Sequence, residues 1–280
     1  MNEKILILSS VSAVLYGFWG SLIAVSLRFG MNPSSAGLIV YFAASLIGYV
    51  FSIKRTIMPR KEWIISGLLF ALANYSLFSI MKHGYLSSAY VYVPSSILVF
   101  YLISFKKNKP KKKETVRVSV AVLLITVGMI ISQINGPSSI NLLDLGVGVM
   151  IAMLYGVSSY LTAYSSLHGS EMVETFWITL FEIAVFLPLA LLTGPKFTAE
   201  GTILGAFAGM CVSFGLYLEL ASYNISLLIG DRFKLMNLIN VLTNLDSVFI
   251  AIASVLLGSF TNFSLAGLLL VFIGAGFFFR

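Results

Sequence analysis

The chain has 280 residues, 58% of them hydrophobic and 10% charged, with a mean hydropathy of +0.96 and a formal net charge of +7. A soluble domain carries about 25% charged residues, so this composition excludes a water-soluble globule and makes lipid the natural solvent. The one cysteine, Cys211, excludes an internal disulfide, and with two histidines it leaves no Cys-rich metal site.

A helix that crosses a bilayer needs about 20 mostly apolar residues. Ten such spans are predicted in chain order, at 5–27, 34–53, 63–81, 86–105, 118–134, 142–164, 175–193, 201–222, 233–257 and 262–279. These continuous apolar runs lack the alternation of a membrane barrel, so the expected fold is all-α and integral to the membrane. The first span follows Met1–Lys4 without a small-residue cleavage site after it, and is read as a retained helix carrying Tyr16 and Trp19 at mid-depth. Asn74 and Tyr75 stand together on the third span, and Tyr92 stands beside Pro94 on the fourth, where the proline removes a backbone donor and bends the helix. Tyr155 lies on the sixth span and Glu182 near the middle of the seventh. The eighth opens with Gly201, Gly205 and Gly209, a doubled small-residue spacing that suits close packing, and carries Glu219 toward its end. On the ninth, Asn237, Asn240, Asn244 and Ser247 fall at spacings that place them on one helix face, with Asp246 near mid-span.

Basic residues mark the cytoplasmic side of short loops. With the N-terminus inside, the inner segments hold 15 of the 18 basic residues, including Lys106, Lys107, Lys109, Lys111, Lys112, Lys113 and Arg117, while Arg28, Lys82 and Lys196 fall outside. The expectation is a multi-pass protein of the cell membrane with both termini cytoplasmic. The basic cluster is read as a topology signal, and no nucleic-acid partner is expected. His83 and His168 then lie on opposite sides and cannot share a metal.

Sliding the chain by 139 residues sets Leu15, Tyr16, Gly17, Leu22, Ala24, Ser26 and Gly30 on Leu154, Tyr155, Gly156, Leu161, Ala163, Ser165 and Gly169. This places the first span over the sixth and divides one transport domain into five-helix halves, 1–138 and 139–280. An odd number of helices per half makes the two copies inverted, with a site expected at their interface. In this arrangement, in the proline of Ser87-Ser88-Ala89-Tyr90-Val91-Tyr92-Val93-Pro94, and in Leu257-Gly258-Ser259-Phe260-Thr261 before Leu268 to Gly276, the chain resembles the drug/metabolite transporter superfamily, and within it the EamA-type permeases. The resemblance implies a central cavity lined by helices 1, 3, 4, 6, 8 and 9, and so groups Tyr16, Trp19, Asn74, Tyr75, Tyr92 and Tyr155 as candidate substrate-binding residues.

Asn237, Asn240 and Asn244 join that group from the polar stripe, which is either helix-to-helix hydrogen bonding or a cavity wall. Ionisable groups at bilayer depth are costly, which makes Glu182 and Asp246 the candidates for proton or cation coupling. The expected function is secondary transport or export, by alternating access, of a small organic metabolite: an amine, an amino acid-like zwitterion or a cationic drug-like compound. Proton coupling and simple exchange both remain open. Phosphorylated substrates are disfavoured because no Lys or Arg lies near the midplane. An enzyme is not expected, since no HExxH pair and no second mid-membrane aspartate is present; an intramembrane lipid-modifying enzyme is the alternative. No metal or cofactor is expected. Monomer and homodimer are equally compatible with the sequence.

Overall fold

A computed structural model describes residues 3–53, 58–83, 86–106, 112–132, 142–166, 171–226, 232–256 and 262–276. The joining segment 135–141, residues 107–111 of the basic cluster, His168, the 257–261 motif and Arg280 lie outside the described residues. Within them the chain is helical and contains no strand: α1 (Glu3–Arg28), α2 (Pro33–Ser52), α3 (Lys61–Lys82), α4 (Leu86–Lys106), α5 (Lys112–Ser132), α6 (Leu142–Ser165), α7 (Glu171–Thr193), α8 (Ala199–Ser226), α9 (Arg232–Thr243), α10 (Asp246–Leu256) and α11 (Asn262–Gly276). Six of these, α1, α2, α3, α6, α7 and α8, contain stretches long and apolar enough to cross a membrane, and shorter apolar stretches occur in α4, α5, α9–α10 and α11.

Helix boundaries follow local chemistry. Asn32 caps α2 by accepting from the Ser35 N–H at 2.8 Å, with Pro33 at the first helical position, where its missing N–H costs nothing. Gly30 (φ +97°) and Gly194 (φ +75°) close α1 and α7 in the left-handed region that glycine tolerates. The Asn32 amide reaches across to the Gly194 carbonyl at 2.8 Å, tying these two turns together.

Burial departs from that of a soluble protein at both the surface and the core. Phe51 is 62% exposed and Leu192 82%, while Asn74 and Glu182 are each 3% exposed. An outer surface of large apolar side chains, with acids and amides buried within an apolar core, is the pattern expected when lipid is the solvent. Inside, α1 lies against α8, α2 against α7 and α8, α3 against α6 and α7, α4 against α6, and α5 against α11; α9 and α10 both pack on α1. The α2–α8 contact uses the small residues: a Cβ on Gly209 would sit 2.3 Å from the Val40 carbonyl oxygen and 2.7 Å from Ala43 Cβ, and one on Gly201 would meet Met31 Sδ of the turn preceding α2 at 2.5 Å. Backbones approach there because side chains are missing.

Two expectations are corrected. The ninth span is not one helix: α9 ends at Thr243 and α10 begins at Asp246, with Asn244 and Leu245 in a turn. The Asn244 amide donates back to the Asn240 carbonyl at 2.7 Å and to Asn240 Oδ1 at 2.6 Å, and Leu245 N–H bonds the Leu242 carbonyl at 3.2 Å in a tightened turn. Side-chain bonds of this kind compete with the helical ladder, so the one-face argument holds along α9 and stops at the break. Secondly, Glu219 does not stand at the end of its helix. Helix α8 continues to Ser226, roughly 10 Å beyond Glu219 at 1.5 Å per residue, and Glu219 is buried.

Candidate functional site

A cavity of about 640 Å³ of atom-free space, mouth included, opens at the centre of the bundle. Helix α1 supplies Tyr16 and Trp19, α2 Tyr41, α3 Phe70 and Asn74, α4 Val93 and Ser96, α6 Tyr155 and Ser159, α7 Ile178 and Glu182, and α8 Val212, Leu216 and Glu219. Thr243, Asn244 and Asp246 close it from the helix break.

Of the residues singled out in the sequence, Tyr16, Trp19, Asn74, Tyr155, Glu182, Asn244 and Asp246 line this cavity. Tyr75, Tyr92, Asn237 and Asn240 do not. Tyr75 stands edge-on to Phe186 with ring centres 6.3 Å apart. The Tyr92 ring covers the backbone at Gly148, where a Cβ would lie 2.0 Å from its Cε1. Asn237 is buried on α9, and Asn240 is occupied in holding Asn244.

Two hydrogen-bonded groups reach the cavity. The Tyr155 hydroxyl donates to Asn74 Oδ1, and Asn74 Nδ2 donates to Glu182 Oε1 at 3.4 Å, linking α6, α3 and α7. Across the cavity, Tyr16 donates to Glu219 Oε2 at 2.8 Å and Tyr223 donates to Glu219 Oε1 at 3.2 Å. Asp246 sits in the first turn of α10, where its Oδ1 accepts from Ser247 N–H at 2.6 Å and Ser247 Oγ at 3.2 Å. A carboxylate in the first turn stands at the positive end of the helix dipole.

Aromatic faces complete the wall. Tyr16 and Trp19 meet edge-to-face at 6.5 Å, and Phe70 and Tyr155 at 5.8 Å. The Trp19 indole N–H is buried without a hydrogen-bond partner, and the Tyr41 hydroxyl lies near Asn74 outside hydrogen-bonding geometry. A buried donor left unpaired costs about 1–3 kcal/mol, whereas the Trp19 ring itself lines the cavity. Among the described lining residues none is Lys, Arg or His, whereas three are acidic. The set is built to hold positive charge.

Sequence reasoning missed Tyr41, Phe70, Ser96, Ser159, Glu219 and Thr243. Glu219 carried a usable signal, an acid inside a long apolar run; the others are ordinary residues of apolar helices that only the packing selects.

No family model matches the chain, and no curated protein matches it. Solved structures do match, 16 chains in all. One, a crystal structure described only as that of a protein, is 15% identical, and the superposition covers 99% of this chain and 96% of that one at a TM-score of 0.68. The likeness is one of fold. It extends over nearly the full length of both chains.

Proposed function

We propose that this protein is a secondary transporter of a small organic amine or cation, working by alternating access in a cell membrane. The reading rests on one observation: a central cavity with three carboxylates, five aromatic rings and no basic side chain among its described lining residues. Carboxylates and ring faces both attract cations, the latter by about 0.5–2 kcal/mol each. A zwitterion is less well matched, because its carboxylate finds no cationic partner in the wall.

The architecture proposed is ten membrane helices in two inverted five-helix halves, with α9 and α10 as a discontinuous ninth helix, in the manner of EamA-type permeases. Exchanging the halves, helix for helix, supports it. The α1–α8 contact becomes α6–α3, α2–α8 becomes α7–α3, and α1 on α9–α10 becomes α6 on α4, while α2–α7 and α5–α11 map onto themselves. The Leu-Tyr-Gly triplets follow the same rule. Tyr16 donates to Glu219 on α8 and Tyr155 to Asn74 on α3. A Cβ on Gly17 would lie 2.5 Å from Phe249 Cβ of α10, and one on Gly156 2.5 Å from Val99 Cβ of α4. Discontinuous helices at a repeat interface are where secondary transporters place their substrates. Glu182 and Asp246 are the groups proposed to exchange a proton for substrate.

Purified protein in detergent, challenged with organic amines, neutral sugars, phosphorylated metabolites and lipid headgroups, tests the reading. Amines should raise the melting temperature by mass action, about 2.7 kcal/mol of stabilisation at a ligand concentration of 100 Kd. A stabilising amine should then show counterflow in proteoliposomes. Stabilisation by phosphorylated compounds alone, or lipid turnover without counterflow, would overturn it, the latter in favour of a lipid-modifying enzyme.

A further inference from the structure

The three carboxylates of the cavity are not equivalent, and they do not converge: among the described residues no three His, Cys, Asp or Glu side chains come together as they would around a metal ion. Glu219 has both oxygens occupied, by the phenols of Tyr16 and Tyr223. Glu182 accepts only the long Asn74 bond, at Oε1, and Asp246 accepts both of its bonds at Oδ1. Glu182 Oε2 and Asp246 Oδ2 therefore have no hydrogen-bond partner among the described residues, although the two side chains are only 3% and 4% exposed. Both line the same cavity, one from α7 and one from the start of α10. Tyr155 stands within electrostatic reach of each, and its ring meets Phe70 edge-to-face.

We propose that the substrate is a dication, an alkyl diamine whose two ammonium groups bind Glu182 Oε2 and Asp246 Oδ2 while its hydrocarbon chain lies along the rings of Tyr155, Phe70 and Trp19. The proposal rests on the transport reading and specifies its substrate class. A monocation can pair with one of the two open acids and leaves the other buried without a partner; a diamine pairs with both and gives up only an apolar chain to the aromatic wall. Glu219, held by two phenols, stays outside this pairing. No basic side chain among the described lining residues competes for either acid.

Thermal-shift titrations of the full chain in detergent, with putrescine and cadaverine set against n-butylamine and n-pentylamine, test it. At least one diamine is expected to bind about tenfold or more tightly than the monoamine of equal chain length. Glu182→Gln and Asp246→Asn should each bring that ratio close to one. Equal affinity of diamines and monoamines for the unmodified protein overturns the dication and leaves amine transport standing, and because that comparison needs no variant, a misfolded mutant cannot obscure it. If neither class binds, the amine reading falls with it. A ratio that survives both substitutions also overturns the assignment of the two oxygens.

Discussion

Tyr16 and Trp19, less than one turn apart on α1, face the same cavity with opposite hydrogen-bond balances. The Tyr16 hydroxyl is spent on Glu219 at 2.8 Å, whereas the Trp19 N–H has no partner. Removing the first should unsettle the protein itself; removing the second should not. Tyr16→Phe takes one of two phenol donors from a buried acid, and hydrogen bonds to charged groups are worth about 1.5–3 kcal/mol. A lowered melting temperature of the ligand-free protein is the expected result. Trp19→Phe deletes an unpaired donor and exchanges the indole for a weaker cation–π face, so stability should hold while affinity for the transported cation weakens. Equal loss of stability in both variants would contradict the view that Trp19 serves the guest. At this scale the sequence was informative where chemistry is rare in lipid: Glu182 and Asp246 stood out because an acid inside an apolar run is costly. It was uninformative for Tyr41 and Phe70, which look like any of the 13 tyrosines and 22 phenylalanines until packing turns them inward.

The break between α9 and α10 shows what periodicity can and cannot deliver about an element. The amide stripe was legible, because three asparagines at helical spacing in an apolar run are conspicuous. The interruption was not, since no glycine or proline marks it; there Asn244 turns its amide back on Asn240 and Leu245 N–H tightens onto the Leu242 carbonyl, a bonding scheme that composition does not decide. The consequence divides the two asparagines. Asn240, outside the cavity lining, holds the turn, while Asn244 both holds the turn and lines the cavity. Asn240→Ala should therefore lower the melting temperature with affinity changed less than about threefold, well under the 1.4 kcal/mol of a tenfold effect. Asn244→Ala should lower both stability and affinity. Affinity lost in Asn240→Ala without loss of stability would show that the stripe acts as a cavity wall along its whole length.

For the whole molecule, continuous apolar runs made the all-helical character legible, because length and hydropathy alone set what a bilayer accepts. The pairing of helices was not legible; it depends on which small residues admit a neighbour, as Gly209 admits the Val40 carbonyl. The handedness of insertion belongs to neither argument. It rests on charge, since 15 of 18 basic residues fall on one side when ten spans are counted, and on the odd number of helices in each proposed half. In the proposed arrangement five crossings carry the first half from one face to the other, which puts the segment joining the halves opposite both termini and the basic segment between the fourth and fifth spans with them. Lys109 and Ser139 sample these two segments. With Cys211 replaced, cysteines introduced singly at those positions should react with an impermeant maleimide from opposite faces of intact cells, Ser139 from outside and Lys109 only after the membrane is opened. Labelling of both from outside, or of neither, would remove the ten-helix arrangement and the inverted pairing of Tyr16 with Tyr155 that depends on it.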